Sequence, residues 1–239
     1  MTRLSAVYGP PDMIALRRVL FAVELLDPVS LNRISYGMKE VKAHGLSGKP
    51  IISISGLFVW LHEDISQLEK VSIRPGQLPY EETEIAPDQL NRVLDLNSSP
   101  PKWPLTSIQL APRADYPFDR GVTALRGKLV EDRVSLEPVP KACVRFRWLD
   151  QDGDWQLAPT VFPTSAESDT SKGGEFVAVL RLAPSDEPQL DAAGNLTVRL
   201  VVRRDDVERV SADLAIPMGR VLDPSIHNRN IVPWDELRP

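Results

Sequence analysis

Few residues of this 239-residue chain have the types and spacing for metal or acid–base chemistry. The three histidines, His44, His62 and His227, are far apart in sequence, and the one cysteine, Cys143, falls in an alternating apolar pattern. One cysteine allows neither a disulfide within the chain nor a Cys-rich zinc site. We therefore expect no catalytic residue, no metal and no cofactor, and we interpret Cys143 as a small side chain packed in a strand.

An acidic triplet, Asp150, Asp152 and Asp154, has the residue types of a calcium loop. An EF-hand requires glycine at position six and glutamate at position twelve, but those positions hold Trp155 and Val161. A hairpin turn between two strands explains the aspartates better, with an adventitious cation site as the alternative. A second acidic run, at positions 81, 82, 84 and 88, lies in a proline-flanked loop and is interpreted as solvated.

Composition favours a β-rich protein. The 22 prolines are spread over the whole chain, and each proline inside a helix would remove a backbone donor, so long helical bundles are disfavoured. The net charge of −5 and the pI near 5.3 argue against nucleic acid as a partner. No apolar run reaches the roughly 18 residues that a membrane-spanning helix needs.

The apolar pattern of the second half has a period of two. Val144, Phe146 and Trp148 alternate with arginines, and the same alternation recurs around Phe176 and Leu196. Strands of this kind bury one face and leave the other in water, as in antiparallel sandwiches. The sequence predicts an all-β protein with two tandem antiparallel β-sandwich domains, Ig-like or transthyretin-like, and extended terminal arms.

The predicted domain boundary lies in an aperiodic stretch from residue 112 to residue 121. Residues 1–114 carry 12 basic and 12 acidic side chains, whereas residues 115–239 carry 16 and 21. We predict an N-terminal arm at 1–18, a first sandwich at 19–114, a second sandwich at 121–218 and a C-terminal extended tail at 219–239. A short repeat supports two domains: Ser55-Gly56-Leu57-Phe58-Val59 and Gly173-Gly174-Glu175-Phe176-Val177 both place a glycine turn before Phe-Val.

Three segments of the second half carry a resemblance to a known family. They are Thr123-Ala-Leu-Arg-Gly-Lys-Leu-Val130, Pro138-Val-Pro-Lys-Ala-Cys-Val-Arg145 and the glycine turn with Phe-Val at 173–177. In this order they are similar to carboxypeptidase regulatory-like modules, which are seven-stranded transthyretin-like sandwiches. The first half resembles the pattern at Ser55-Gly56-x-Phe58 and Val71-x-Ile73-x-Pro75-Gly76. The resemblance implies a role as appendage or adaptor and implies no catalytic residues.

The two ends of the chain are aperiodic but lack the composition of free tails. Such arms are ordered when they dock on their own domain or on a neighbouring subunit. We expect removal of residues 223–239 to leave thermal unfolding of the sandwiches nearly unchanged while abolishing incorporation of the chain into an assembled particle. The predicted partner-binding residues are Tyr8, Pro10, Trp103, Tyr116, Ile231 and Trp234.

The leading function hypothesis is a non-catalytic structural component of a large particle assembled in the cytoplasm. The particle would be a phage tail or a phage-tail-like contractile injection system, with the chain as spacer, decoration or adaptor. No secretory signal pattern is found near the N-terminus, and a phage-like particle leaves the cell without one. The expected partners are other protein subunits, including further copies of the chain, and not nucleic acid or a small molecule.

The alternative hypothesis is a β-sandwich module that binds carbohydrate or another surface ligand. It predicts a concave aromatic platform formed by Tyr80, Trp103, Tyr116 and Trp234. An enzyme with dispersed catalytic groups is the third and weakest hypothesis, since the histidines are isolated in sequence.

Overall fold

A computed structural model describes residues 19–61, 65–92, 104–159, 162–163, 173–222 and 231–239, and these residues form mainly β-strands. The chain divides into two compact units, unit 1 (Met1–Leu110) and unit 2 (Ala111–Pro239), and each unit has its own hydrophobic core. Helical turns in the described part are short 3-10 segments. The predicted all-β class is confirmed. Within the described ranges, no helix is long and apolar enough to cross a membrane.

Unit 1 contains two sheets. Its strands are β1 (Val19–Leu26), β2 (Glu40–His44), β3 (Ile51–Ile52), β4 (Phe58–Leu61), β5 (Lys70–Arg74), β6 (Thr83–Ile85) and β7 (Leu105–Gln109). One sheet has the order β3-β4-β1-β7 and the other has the order β2-β5-β6. The alternating residues Phe21, Val23 and Leu25 of β1 are buried in the core, where Phe21 stacks on Trp60 with ring centroids 4.7 Å apart.

Unit 2 also contains two sheets, with more strands. They are β8 (Thr123–Val130), β9 (Cys143–Leu149), β10 (Trp155–Leu157), β11 (Phe162–Pro163), β12 (Glu175–Leu180), β13 (Asn195–Arg204), β14 (Val207–Val210), β15 (Leu214–Pro217), β16 (Val221–Leu222) and β17 (Ile231–Pro233). One sheet has the order β10-β9-β13-β14, with β11 on β9 and β15 on β13, and the other has the order β12-β8-β16, with β17 also on β8. The predicted alternation is confirmed, since Val144, Phe146 and Trp148 are all buried in the core.

The two units share a strand plan. In unit 1 the first strand, β1, pairs with the antiparallel strand β4 on one side and the parallel strand β7 on the other. In unit 2 the first strand, β8, pairs with the antiparallel strand β12 on one side and the parallel strands β16 and β17 on the other. Both antiparallel strands carry Phe-Val, and all the parallel strands come from the end of their unit. The predicted glycine–Phe-Val repeat is confirmed, because Phe58 in β4 and Phe176 in β12 occupy equivalent places and both are buried. Gly56 and Gly174 precede them at φ of +80° and +75°, a region that favours glycine.

A second repeat, absent from the sequence-based predictions, follows the first strand of each unit. Asp27-Pro-Val-Ser-Leu31 and Asp132-Arg-Val-Ser-Leu136 share four of five residues. In both loops an aspartate oxygen accepts hydrogen bonds from the backbone N–H groups two and three residues later. The leucines both adopt a positive φ, 57° in one loop and 53° in the other. The two units therefore repeat this loop in sequence and in conformation.

Candidate functional site

The described structure covers half of the predicted partner-binding residues. Tyr8, Pro10 and Trp103 lie outside the described residues, whereas Tyr116, Ile231 and Trp234 lie in unit 2. The Tyr116 side chain is buried, and its ring centroid is 4.7 Å from that of Phe118. Ile231 belongs to the parallel ladder between β17 and β8. These contacts lie within unit 2.

The described end of the chain is part of the core of unit 2. The Trp234 ring packs against that core, and the guanidinium carbon of Arg209 lies 4.6 Å from the ring centroid. Arg209 also donates a hydrogen bond of 2.8 Å to the Trp234 carbonyl oxygen. Leu237 is a core residue with 6% exposure. This packing contradicts the expectation that residues 223–239 can be removed without loss of stability, because removal would take Trp234 and Leu237 from the core.

The predicted aromatic platform has no support from its described members. Tyr80 packs against the core of unit 1, and its hydroxyl donates a 2.8 Å hydrogen bond to Asp27 Oδ2. Tyr116 is buried, and Trp234 is partly buried with Arg209 stacked on its ring. Buried or covered rings are not available for stacking on a sugar, so the carbohydrate hypothesis gains nothing from these three residues.

The aspartates at 150–154 form the predicted hairpin turn. Asp150 Oδ1 accepts a 2.7 Å hydrogen bond from the Asp154 N–H, and Asp150 Oδ2 accepts one of the same length from the Gln156 amide. The hydrogen bond from Gln156, followed by that from Asp154, holds the pKa of Asp150 below its ordinary value. Among the described residues, no group of three or more His, Cys, Asp or Glu side chains is placed to hold a metal ion.

Unit 1 contains an ion pair between the buried Glu24 and the exposed Arg33. The Glu24 side chain is 12% exposed, and it accepts hydrogen bonds from the Arg33 guanidinium and, at 2.6 Å, from the Ser107 hydroxyl. The Ser107 hydrogen bond, opposed by burial and assisted by Arg33, lowers the pKa of Glu24. Arg33 also donates a 3.1 Å hydrogen bond to the Ser55 carbonyl oxygen. The pair therefore positions the turn that joins β3 to β4.

Three exposed apolar side chains lie in or directly after β3, the terminal strand of the larger sheet of unit 1. Ile51 and Ile52 are 48% and 53% exposed, and Ile54, in the turn after β3, is fully exposed. Successive residues of a strand point to opposite faces, so one of the two strand isoleucines would be buried if either face of β3 were covered. Both faces of β3 are therefore open. We call Ile51, Ile52 and Ile54 the isoleucine edge.

The isoleucine edge has the physical properties of a docking site for another strand. β3 pairs with β4 on one side and has no strand partner on its outer side among the described residues. A terminal strand with exposed apolar side chains is a template for pairing with another chain. The sequence-based predictions do not include the exposure of these residues. Three isoleucines within four residues, next to a glycine turn, are the signal that could have indicated it.

Comparisons with known proteins do not identify the chain. No protein-family description matches it, and no curated protein matches it. A structure of a streptococcal ancillary pilin is similar, with 10% sequence identity and a TM-score of 0.26, over 91% of this chain and 61% of that chain. A likeness this low carries no argument about fold or function. The resemblance to carboxypeptidase regulatory-like modules is not confirmed.

Proposed function

We propose that the chain is a non-catalytic structural subunit of a protein assembly, in which its β-sandwich units act as spacer, decoration or adaptor. The isoleucine edge carries this proposal. Full burial of one isoleucine side chain contributes roughly 1.5–3 kcal/mol, so a partner that covers three of them gains a substantial part of its binding free energy there. An extended strand on the outer side of β3 would add backbone hydrogen bonds to this apolar contact.

The proposed assembly is a phage tail or a phage-tail-like contractile injection particle, built in the cytoplasm from protein subunits. Tandem Ig-like sandwiches commonly serve as spacers or decorations, and the choice of particle is an analogy with such modules. The proposed partners are other subunits of the particle, further copies of this chain among them.

Electron microscopy of source-cell lysate tests the proposal. A tagged full-length chain should sediment with tubes, baseplates or other particles that carry the tag in negative stain. A matched pair of variants locates the contact: Ile51→Thr with Ile54→Ser should remove the chain from the particles, whereas Val134→Thr with Leu190→Thr, at exposed apolar residues of unit 2, should not. Circular dichroism confirms that both variants fold.

A tagged chain that stays in the supernatant of a lysate without particles would contradict the proposed function. In that case screening against glycans and surface ligands would test the alternative hypothesis.

A further inference from the structure

Among the described residues, the outer side of β3 has no strand partner. A short uncharged segment, Leu-Ser-Ala-Val-Tyr at residues 4–8, lies outside the described residues. We propose that residues 4–8 of a second copy of the chain pair with the isoleucine edge of unit 1. This inference rests on the proposed function and names the partner of the same site.

The composition of residues 4–8 suits a strand at this edge. The segment has no charge and no proline, and it contains Val7 and Tyr8, which favour β-structure. Gly9, Pro10 and Pro11 follow directly and would end the strand. In an extended segment Leu4, Ala6 and Tyr8 lie on one face and Val7 on the other. A segment with apolar residues on both faces suits pairing with β3, because both faces of β3 are exposed.

The chain between this segment and unit 1 is long enough to reach a neighbour. Ten residues, 9–18, separate residue 8 from the start of β1 at Val19. An extended chain spans at most about 3.3–3.6 Å per residue, which gives roughly 33–36 Å for this connection. Neighbouring strands lie only about 4.8 Å apart, so the segment can extend well beyond the sheet in which β1 lies.

Strand order in unit 1 argues against pairing with the edge of the same copy. Val19 at the start of β1 pairs with Leu61 at the end of β4, and the chain enters β3 at Ile51 from this same end of the sheet. To reach the outer side of β3, the N-terminal segment would have to cross the connection that leaves β4 and the one that enters β3. Such crossings on one edge of a sheet are avoided in proteins. A strand from a second copy meets neither connection.

Disulfide formation between two single-cysteine chains tests the inference. Both full-length chains carry Cys143→Ser; one has Ala6→Cys and the other has Ile52→Cys with a tag of different size. After oxidation, the covalent heterodimer should form in several-fold higher yield than in a control mixture of Ala6→Cys with Gln109→Cys. Gln109 is an exposed residue of β7, at the opposite edge of the same sheet, and is therefore a matched control.

Equal yields in the two mixtures would overturn the inference. A chain that carries both Ala6→Cys and Ile52→Cys and forms only an intramolecular disulfide would also overturn it, because the segment would then cover its own edge. Adding Ile51→Thr and Ile54→Ser to the Ile52→Cys chain should reduce the heterodimer several-fold.

Particle microscopy separates this inference from the proposed function. If the tagged chain is found in particles but the heterodimer does not form, the proposed function is supported and the second copy is refuted as the partner. Heterodimer without particles supports the inference and refutes the particle.

Discussion

Unit 1 and unit 2 use their short middle strands differently. In unit 1 the middle strand is β3, and it pairs with β4 in the sheet that contains the first strand, β1. In unit 2 the middle strands are β10 and β11, and they pair with β9 in the sheet that does not contain the first strand, β8. In unit 2 Phe162 is buried, and the guanidinium carbon of Arg199 lies 4.0 Å from the centroid of the Trp155 ring, although Leu157 stays half exposed. In unit 1 both strand isoleucines, Ile51 and Ile52, are also about half exposed, and Ile54 next to them is fully exposed.

This difference shows that a shared strand plan does not fix which edge is covered. Pairing of the middle strands with β9 places their aromatic side chains against neighbours within unit 2. The corresponding strand of unit 1 extends its sheet outward and leaves an apolar edge. Unit 1 is therefore the unit that we expect to bind a partner through a strand, and the following predictions test the comparison.

The largest effects are expected at the repeated phenylalanines. Phe58→Ala and Phe176→Ala should each lower the free energy of unfolding by about 3–5 kcal/mol, because each removes a buried ring from a core. Hydrogen exchange followed by mass spectrometry should show faster exchange in unit 1 for the first variant and in unit 2 for the second. An effect of one variant without the other would show that the two sites are not equivalent.

A large effect is also expected at the end of the chain. Leu237→Ala should destabilise unit 2 by about 2–5 kcal/mol, since Leu237 is buried in its core. The exposed Leu190 is the matched control, and Leu190→Ala should change stability by less than about 0.5 kcal/mol. Thermal unfolding distinguishes the two variants. If both variants lowered the stability of unit 2 by equally small amounts, the original expectation that the tail does not stabilise its own domain would hold.

A smaller, pH-dependent effect is expected at Glu24. The buried carboxylates of the described residues, Glu24 and Asp27, both lie in unit 1. Loss of the charged hydrogen bonds in Glu24→Gln should cost on the order of 1.5 kcal/mol at neutral pH. The pKa of Glu24 is lowered by its bond to Ser107 and by Arg33, so its contribution is present above the pKa of the unfolded state and is lost as pH falls through the lower folded value.

Melting temperatures of the wild type and Glu24→Gln at pH 7 and pH 3 check this prediction. The difference between the two proteins should shrink at the lower pH. A difference of the same size at both pH values would mean that packing, and not charge, accounts for the role of Glu24.

The smallest effect is expected in the repeated loops. Leu31 and Leu136 adopt a left-handed conformation that costs leucine roughly 1–2 kcal/mol, and asparagine adopts it more readily. Leu31→Asn and Leu136→Asn should therefore each raise stability by less than about 1 kcal/mol, measured as an increase in melting temperature. A decrease for one variant would show that its leucine makes a stabilising contact that the equivalent leucine does not make.

Local patterns predicted the strands but not the packing of the described C-terminal residues. The period of two around Phe146 assigns β9 correctly, because alternation depends only on residues adjacent in sequence. Trp234 and Tyr116 lie in aperiodic segments, where a sequence cannot distinguish an aromatic side chain that packs from one that binds a partner. Their packing contacts come from residues distant in sequence, such as Arg209 for Trp234.

Three features follow from local sequence alone: the all-β class, the alternation of buried and exposed residues, and the glycine–Phe-Val repeat. Each is encoded in a few consecutive residues through strand geometry and the conformational freedom of glycine. Three other features depend on contacts between residues distant in sequence: β1 lies between β4 and β7, Leu237 is a core residue, and the isoleucines after Pro50 are exposed. Burial of an apolar side chain depends on what the fold places opposite it, and the described residues of unit 1 leave about half of the Ile51 and Ile52 side chains exposed.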